Sequence, residues 1–183
     1  EGHSWQYSFF VPQDIEGMIE AYGGKEKFEA KLDEMFNSES KTTGREQVDV
    51  TGLIGQYAHG NEPSHHMAYL YNYVGKPEKT NEKVKYILDN FYTNTPDGLI
   101  GNEDCGQMSA WYVLSSMGIY DVTPGDLLWD ITLPYIENIK VSVDGKKPEY
   151  INQPFEKTRI LPQFSMDFKG NRRQRTRYRR AGR

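Results

Sequence analysis

The sequence predicts a mainly α fold followed by a short β element. Two observations carry the helical part. Apolar residues recur at helical spacing in five segments, and these segments are separated by long polar loops containing glycine or proline. A third observation carries the β part: beyond Pro124 the helical spacing gives way to alternation of apolar and polar residues.

The elements follow in order. Glu1 to Phe10 is rich in aromatics: Trp5, Tyr7, Phe9 and Phe10. Pro12 and Asp14 open a helix whose face is Ile15, Met18, Ile19 and Tyr22, and Gly23-Gly24 ends it. Phe28, Leu32 and Met35 mark a second amphipathic helix. Residues 37–52 are polar and read as a loop. A third helix is expected over Ser64 to Val74, with Met67, Leu70, Tyr71 and Val74 on one face and Gly75 and Pro77 beyond it. A fourth runs from about Thr80 to Tyr92 on Val84, Leu88 and Phe91. A loop from Asn94 to Cys105 leads to a fifth helix, Gly106 to Met117, which Gly118 stops. Ile139 to Val143 alternates and is followed by Asp144-Gly145, the signal of a hairpin turn.

Composition narrows the function. Of 183 residues, 22 are Lys or Arg and 26 are Asp or Glu. Eight of the basic residues fall in 169–183, which holds no acid. Residues 1–168 therefore carry 14 basic and 26 acidic residues, a net of −12. An acidic body argues against nucleic acid as a partner, because phosphate binding needs a basic face. The absence of any apolar run of 18 residues excludes a membrane-spanning helix. One cysteine excludes an internal disulfide framework and a cysteine-based zinc site. With no basic neighbour to lower its pKa, Cys105 reads as a buried structural thiol.

Three clusters could carry chemistry: Glu1 to Tyr7, His59 to His66, and Gly101 to Gln107. The second packs His59, His65 and His66 with Asn61 and Glu62. Imidazoles suit zinc, but the spacing matches no zinc pattern. Asn61 and Glu62 suit a hard cation such as calcium. Capping of a helix N-terminus by Glu62 and Ser64 explains the same residues without a ligand. Glu103 and Asp104 carry the same alternatives: a helix cap, or a carboxylate acting as base or cation ligand. Two carboxylates on separate loops, with amides, aromatics and no Ser-His-Asp set, favour glycoside hydrolysis. That reaction needs one carboxylic acid and one carboxylate.

The strings Glu1-Gly-x-x-Trp5-Gln6-Tyr7, Gly60-Asn61-Glu62-Pro63-Ser64-His65-His66 and Gly101-Asn102-Glu103-Asp104-x-Gly106-Gln107-Met108-Ser109-Ala110-Trp111 resemble signature segments of glycoside hydrolase family 92, in the order that family shows. The resemblance covers residues 1–150 and fades after Ile151. It implies a calcium-dependent, inverting exo-α-mannosidase, with preference for α-1,2 linkages, that releases mannose from glycans.

The resemblance also implies architecture. Residues 1–125 would be the last helical hairpins of an (α/α)6 barrel, 126–168 a C-terminal segment with short strands, and 169–183 a basic, disordered tail. The N-terminal β-sandwich and the rest of the barrel would precede Glu1. The piece alone would then be inactive, and the whole protein would be secreted, periplasmic or at the cell surface. By position, Glu1 matches the general acid and Asp104 the general base. Glu62 and Asn61 match calcium ligands. Trp5, His59, His65, Asn102 and Glu103 match positions that contact the sugar or stand behind it. A calcium-dependent sugar-binding or structural remnant without turnover is the alternative.

Overall fold

The computed structural model describes residues 2–45, 47–125 and 128–136 with their side chains. It also gives the backbone of strands at 138–141, 149–152, 167–168, 172–173 and 175–177. Glu1 and the Asp144-Gly145 turn lie outside the described residues. Among the described residues the α-helices are α1 (Ser4–Tyr7), α2 (Ile15–Ala21), α3 (Lys25–Asn37), α4 (Leu70–Tyr73), α5 (Pro77–Asn90) and α6 (Gln107–Ser116). The strands are β1 (Leu53–Ile54), β2 (Tyr57–Ala58), β3 (Ile119–Tyr120), β4 (Leu128–Ile131), β5 (Asn138–Val141), β6 (Glu149–Asn152), β7 (Asp167–Phe168), β8 (Arg172–Arg173) and β9 (Arg175–Arg177).

Local chemistry explains the helix limits. The Asp14 carboxylate caps α2 by accepting from the Gly17 N–H at 2.9 Å. Gly24 N–H reaches back to Ile19 O and Gly23 N–H to Glu20 O, with φ of 102° and 90°. This is a Schellman close, and its positive φ favours glycine. Pro77 begins α5 at a first-turn position, where its missing N–H costs nothing, so this helix starts three residues before the expected Thr80.

The expected helix over Ser64 to Val74 is broken. A 3-10 turn at Glu62–Ser64 and another at Met67–Tyr69 precede the single turn of α4. The cause is visible in one carbonyl. In an α-helix His65 O would accept from Tyr69 N–H; here it accepts from the indole N–H of Trp111 at 3.0 Å. Tyr69 N–H takes His66 O instead, at 3.0 Å, which tightens the turn.

Two hairpin elements sit where the pattern was read as loop or left unassigned. β1 pairs antiparallel with β2, and β3 pairs antiparallel with β4. The expected C-terminal strand pair is present as β5 with β6, in the register Ile139↔Ile151. β4 also pairs in parallel with β9, so part of the arginine-rich segment, expected to be disordered, joins a sheet.

The core is aromatic. Phe9, Tyr22 and Phe28 form a triangle with ring centroids 5.3–5.7 Å apart, joining the N-terminal segment to α2 and α3. Met67 to Tyr71 is fully buried beneath it. Lys79 on α5 bridges Glu29 (2.9 Å) and Asp33 (2.6 Å) on α3. Asp130 on β4 is buried and accepts from the Tyr73 hydroxyl at 2.9 Å, which satisfies one oxygen of a carboxylate inside the core. Among the described residues no helix is long and apolar enough to cross a membrane.

Candidate active site

The three motif segments are distant in sequence and contiguous in the fold. α1 rests against the Glu62–Ser64 turn and β2. Gln6 is buried; its Oε1 accepts from His3 N–H at 2.9 Å and its Nε2 donates to Gln56 O at 2.6 Å. The second and third segments touch through glycine. A Cβ on Gly101 would lie 3.1 Å from Gly60 Cα, and a Cβ on Gly60 would lie 2.0 Å from Thr51 Oγ1. Only glycine permits that approach at Gly60.

Histidines support this junction from behind. Tyr92 donates its hydroxyl proton to Met108 O at 3.2 Å, so its oxygen accepts from His59 Nε2–H at 2.7 Å. Nδ1 of His59 then accepts from the Tyr57 hydroxyl at 2.8 Å. The amide of Gln107 donates to His65 Nδ1 at 3.2 Å, leaving His65 Nε2–H to donate to His59 O at 2.9 Å. His66 Nε2 meets Phe9 O at 2.8 Å. Both nitrogens of His59 and of His65 are thus engaged, and both rings are buried. A metal at these imidazoles would have to displace those bonds, so the zinc alternative has no support in this geometry. Burial holds His59 well below the ordinary imidazole range and brings His65 and His66 to about 4. All three are neutral near pH 7.

Trp5 is half-buried, and Lys31 Nζ stands 4.3 Å from its ring centroid, covering one face. Asn61 is buried, in extended conformation, immediately before the 3-10 turn. Glu62 is the first residue of that turn and half-buried. No hydrogen bond or ion pair engages its carboxylate among the described residues. Asn61 and Glu62 are hard oxygen donors, the class that calcium takes. Two residues supply only part of a shell of 6–8 oxygens, and among the described residues there is no cluster of three or more His, Cys, Asp or Glu that would hold an ion alone. The donor type fits calcium.

The third segment is strained. Asp104 and Cys105, neither of them glycine, have φ of 50° and 57°, and Gly106 follows at 96°. Consecutive left-handed residues cost free energy and persist only where neighbours enforce them. The run turns Asp104 and Cys105 outward, so Cys105 is an exposed thiol and not the buried one expected. Glu103 points the other way. Its carboxylate accepts from Ser109 N–H at 3.1 Å and Ser109 Oγ at 2.8 Å, the capping alternative anticipated for this motif. Asn102 is exposed and donates from Nδ2 to Asp49 Oδ1 at 3.1 Å.

A cavity of about 150 Å³ adjoins the first segment, lined by Gly2, His3, Thr42, Thr43, Arg45, Gln47 and Val50. Residues 42–50 carry no periodicity or motif, so nothing in the sequence marked them. Only the return of this loop beside His3 brings them in.

The model of the glycosyl hydrolase family 92 catalytic domain matches residues 1–174 of this chain. The chain belongs to that family. The match runs past residue 150, beyond the span covered by the motifs. A family 92 α-mannosidase of Bacteroides thetaiotaomicron, solved in complex with mannoimidazole, is 46% identical with a TM-score of 0.76; 82% of this chain covers 20% of that one. A family 92 inverting mannosidase from Bacteroides thetaiotaomicron VPI-5482 is 35% identical with a TM-score of 0.68, over 83% of this chain and 22% of that one. A curated relative from Arthroderma benhamiae, described as an uncharacterized secreted glycosidase, is 30% identical over 158 residues, 85% of this chain and 18% of its own length. This family 92 chain therefore spans about a fifth of the length of these relatives.

Proposed function

We propose that this family 92 chain carries part of the active site of an inverting, calcium-dependent exo-α-mannosidase that releases mannose from glycans, with α-1,2 linkages as the preferred substrate. The observation that carries the reading is the convergence of the three motif segments on one region, in a chain similar to two solved mannosidases. Asp104 is the general base. Its carboxylate is exposed on the turn before α6, where a water can reach it. Glu1 is the general acid that protonates the leaving oxygen. Inversion requires the two carboxyl groups to stand roughly 6.5–9.5 Å apart, with water between the base and the anomeric carbon.

Glu62 and Asn61 would hold calcium, which when bound orients the vicinal hydroxyls of mannose and favours ring distortion. Trp5, His59, His65, Asn102 and Glu103 form the surroundings of these groups, the two histidines from behind. The helices belong to the last hairpins of an (α/α)6 barrel, with residues 126–168 as a strand-bearing segment after it and the basic stretch beyond. The rest of the barrel and an N-terminal β-sandwich belong to the same protein. Its place is outside the cytoplasm, in keeping with the secreted relative.

The test is mannose release from α-1,2-mannobiose by the full-length protein, with and without a chelator. Loss of turnover on chelation that added calcium restores supports the ion assignment; indifference to the chelator refutes it. Glu62→Gln should raise the calcium concentration needed for half-maximal turnover.

A further inference from the structure

Asp104 stands on a turn that its own sequence disfavours, and something must hold it there. Its left-handed φ of 50° is followed by 57° at Cys105, so two side-chain-bearing residues in succession occupy a region that normally selects glycine. The hydrogen bonds that enforce the turn come from its two ends. Gln107 N–H donates to Asp104 O at 3.2 Å and Met108 N–H to Glu103 O at 3.3 Å, closing the backbone across the strained residues. A second clamp is charge-assisted. Both oxygens of the Glu103 carboxylate are taken by one residue, Ser109, in the first turn of α6. That helix is anchored by buried Met108 and Trp111. The chain between residues 103 and 109 is therefore a closed loop, pinned at its base, with Asp104 and Cys105 at its exposed side.

We propose that Glu103 is a positioning residue: by clamping Ser109 it fixes the left-handed turn that presents Asp104 to the water it activates. This rests on the assignment of Asp104 as base. With both oxygens engaged in the fold, Glu103 acts on turnover through Asp104 and not by contact with the sugar. Misplacing a reacting group by about an ångström can cost on the order of 100-fold in rate.

The experiment uses the full-length protein and a double-mutant cycle with Asp104→Asn, reading kcat and KM separately. Glu103→Ala should lower kcat by about 100-fold with KM changed less than about threefold. Ser109→Ala, which removes only the hydroxyl bond, should act in the same direction by about 3- to 10-fold. In the Asp104→Asn background, Glu103→Ala should cost less than about threefold more, because the group it positions is already disabled. Thermal unfolding of each variant separates mispositioning from unfolding, and Ser109→Ala keeps the test decisive where Glu103→Ala fails to fold. A raised KM with kcat preserved would overturn the proposal by making Glu103 a sugar contact. Full additivity with Asp104→Asn would overturn it by making the two independent. An Asp104→Asn enzyme with normal turnover would remove the base assignment itself; an inactive Asp104→Asn beside a normal Glu103→Ala would remove only the positioning role.

Discussion

Trp111 is the residue through which the second and third motif segments are joined, and its replacement by Phe has a calculable effect. The indole is fully buried, lies against His59 (4.4 Å between centroids) and Tyr92 (6.0 Å), and donates to His65 O at 3.0 Å. Trp111→Phe removes that donor and leaves a buried carbonyl unpaired, which costs about 1–3 kcal/mol. The smaller ring leaves a void on the order of 40 Å³, adding about 1 kcal/mol at roughly 24 cal/mol per Å³. The sum is about 2–4 kcal/mol, concentrated on the segment whose backbone the indole diverts. Hydrogen exchange on the full-length protein reads this locally. Peptides spanning residues 64–74 should exchange roughly 30- to 1,000-fold faster, at a factor of ten per 1.4 kcal/mol, while those from α2 and α3 change little. A loss under about 1 kcal/mol, or equal acceleration across all helices, would refute the role given to the indole.

Other outcomes follow from the same geometry. His65 and His66 are held neutral, at about 4, against 6.5 in the unfolded chain. Between these values the unfolded chain binds more protons, so stability is full above about pH 6.5, falls as pH drops toward 4 and then levels, by about 3 kcal/mol per histidine. Denaturation midpoints of the full-length protein across that window check this, and a flat profile contradicts it. Gly60→Ala places a methyl 2.0 Å from Thr51 Oγ1 and should cost about 1–3 kcal/mol. Thr51→Ala should recover part of the loss in melting temperature. Asp104→Asn should lower kcat by at least about 100-fold without unfolding the protein, as removal of a general base does.

Much of this was legible in the sequence because it is local. The caps of α2, the faces of α3 and α5, and the stop at Gly118 follow from residues within one or two turns of each other. The third helix was misread for a non-local reason: Ser64 to Val74 has helical spacing, but the bond that breaks it comes from Trp111, 46 residues away. Strands of two residues, such as β1 and β3, are too short to show alternation. At the site, motif order identified the segments, whereas the close approach of Gly60 and Gly101 depends on chain return and was not readable. Which acid of the Glu103-Asp104 pair faces solvent was not readable, since adjacent carboxylates look alike until the backbone assigns φ. Arg45 and its neighbours had no pattern at all and enter only by chain return.

The role proposed for Asp104, base of an inverting mannosidase, fixes the stereochemistry of the first product. Proton NMR of α-1,2-mannobiose hydrolysis by the full-length protein, followed from the first turnovers, tests it most directly. An inverting reaction gives β-mannose as the first product, with the α-anomer growing in by mutarotation, and Asp104→Asn should slow release by at least about 100-fold. First appearance of α-mannose, or undiminished release by Asp104→Asn, would contradict it.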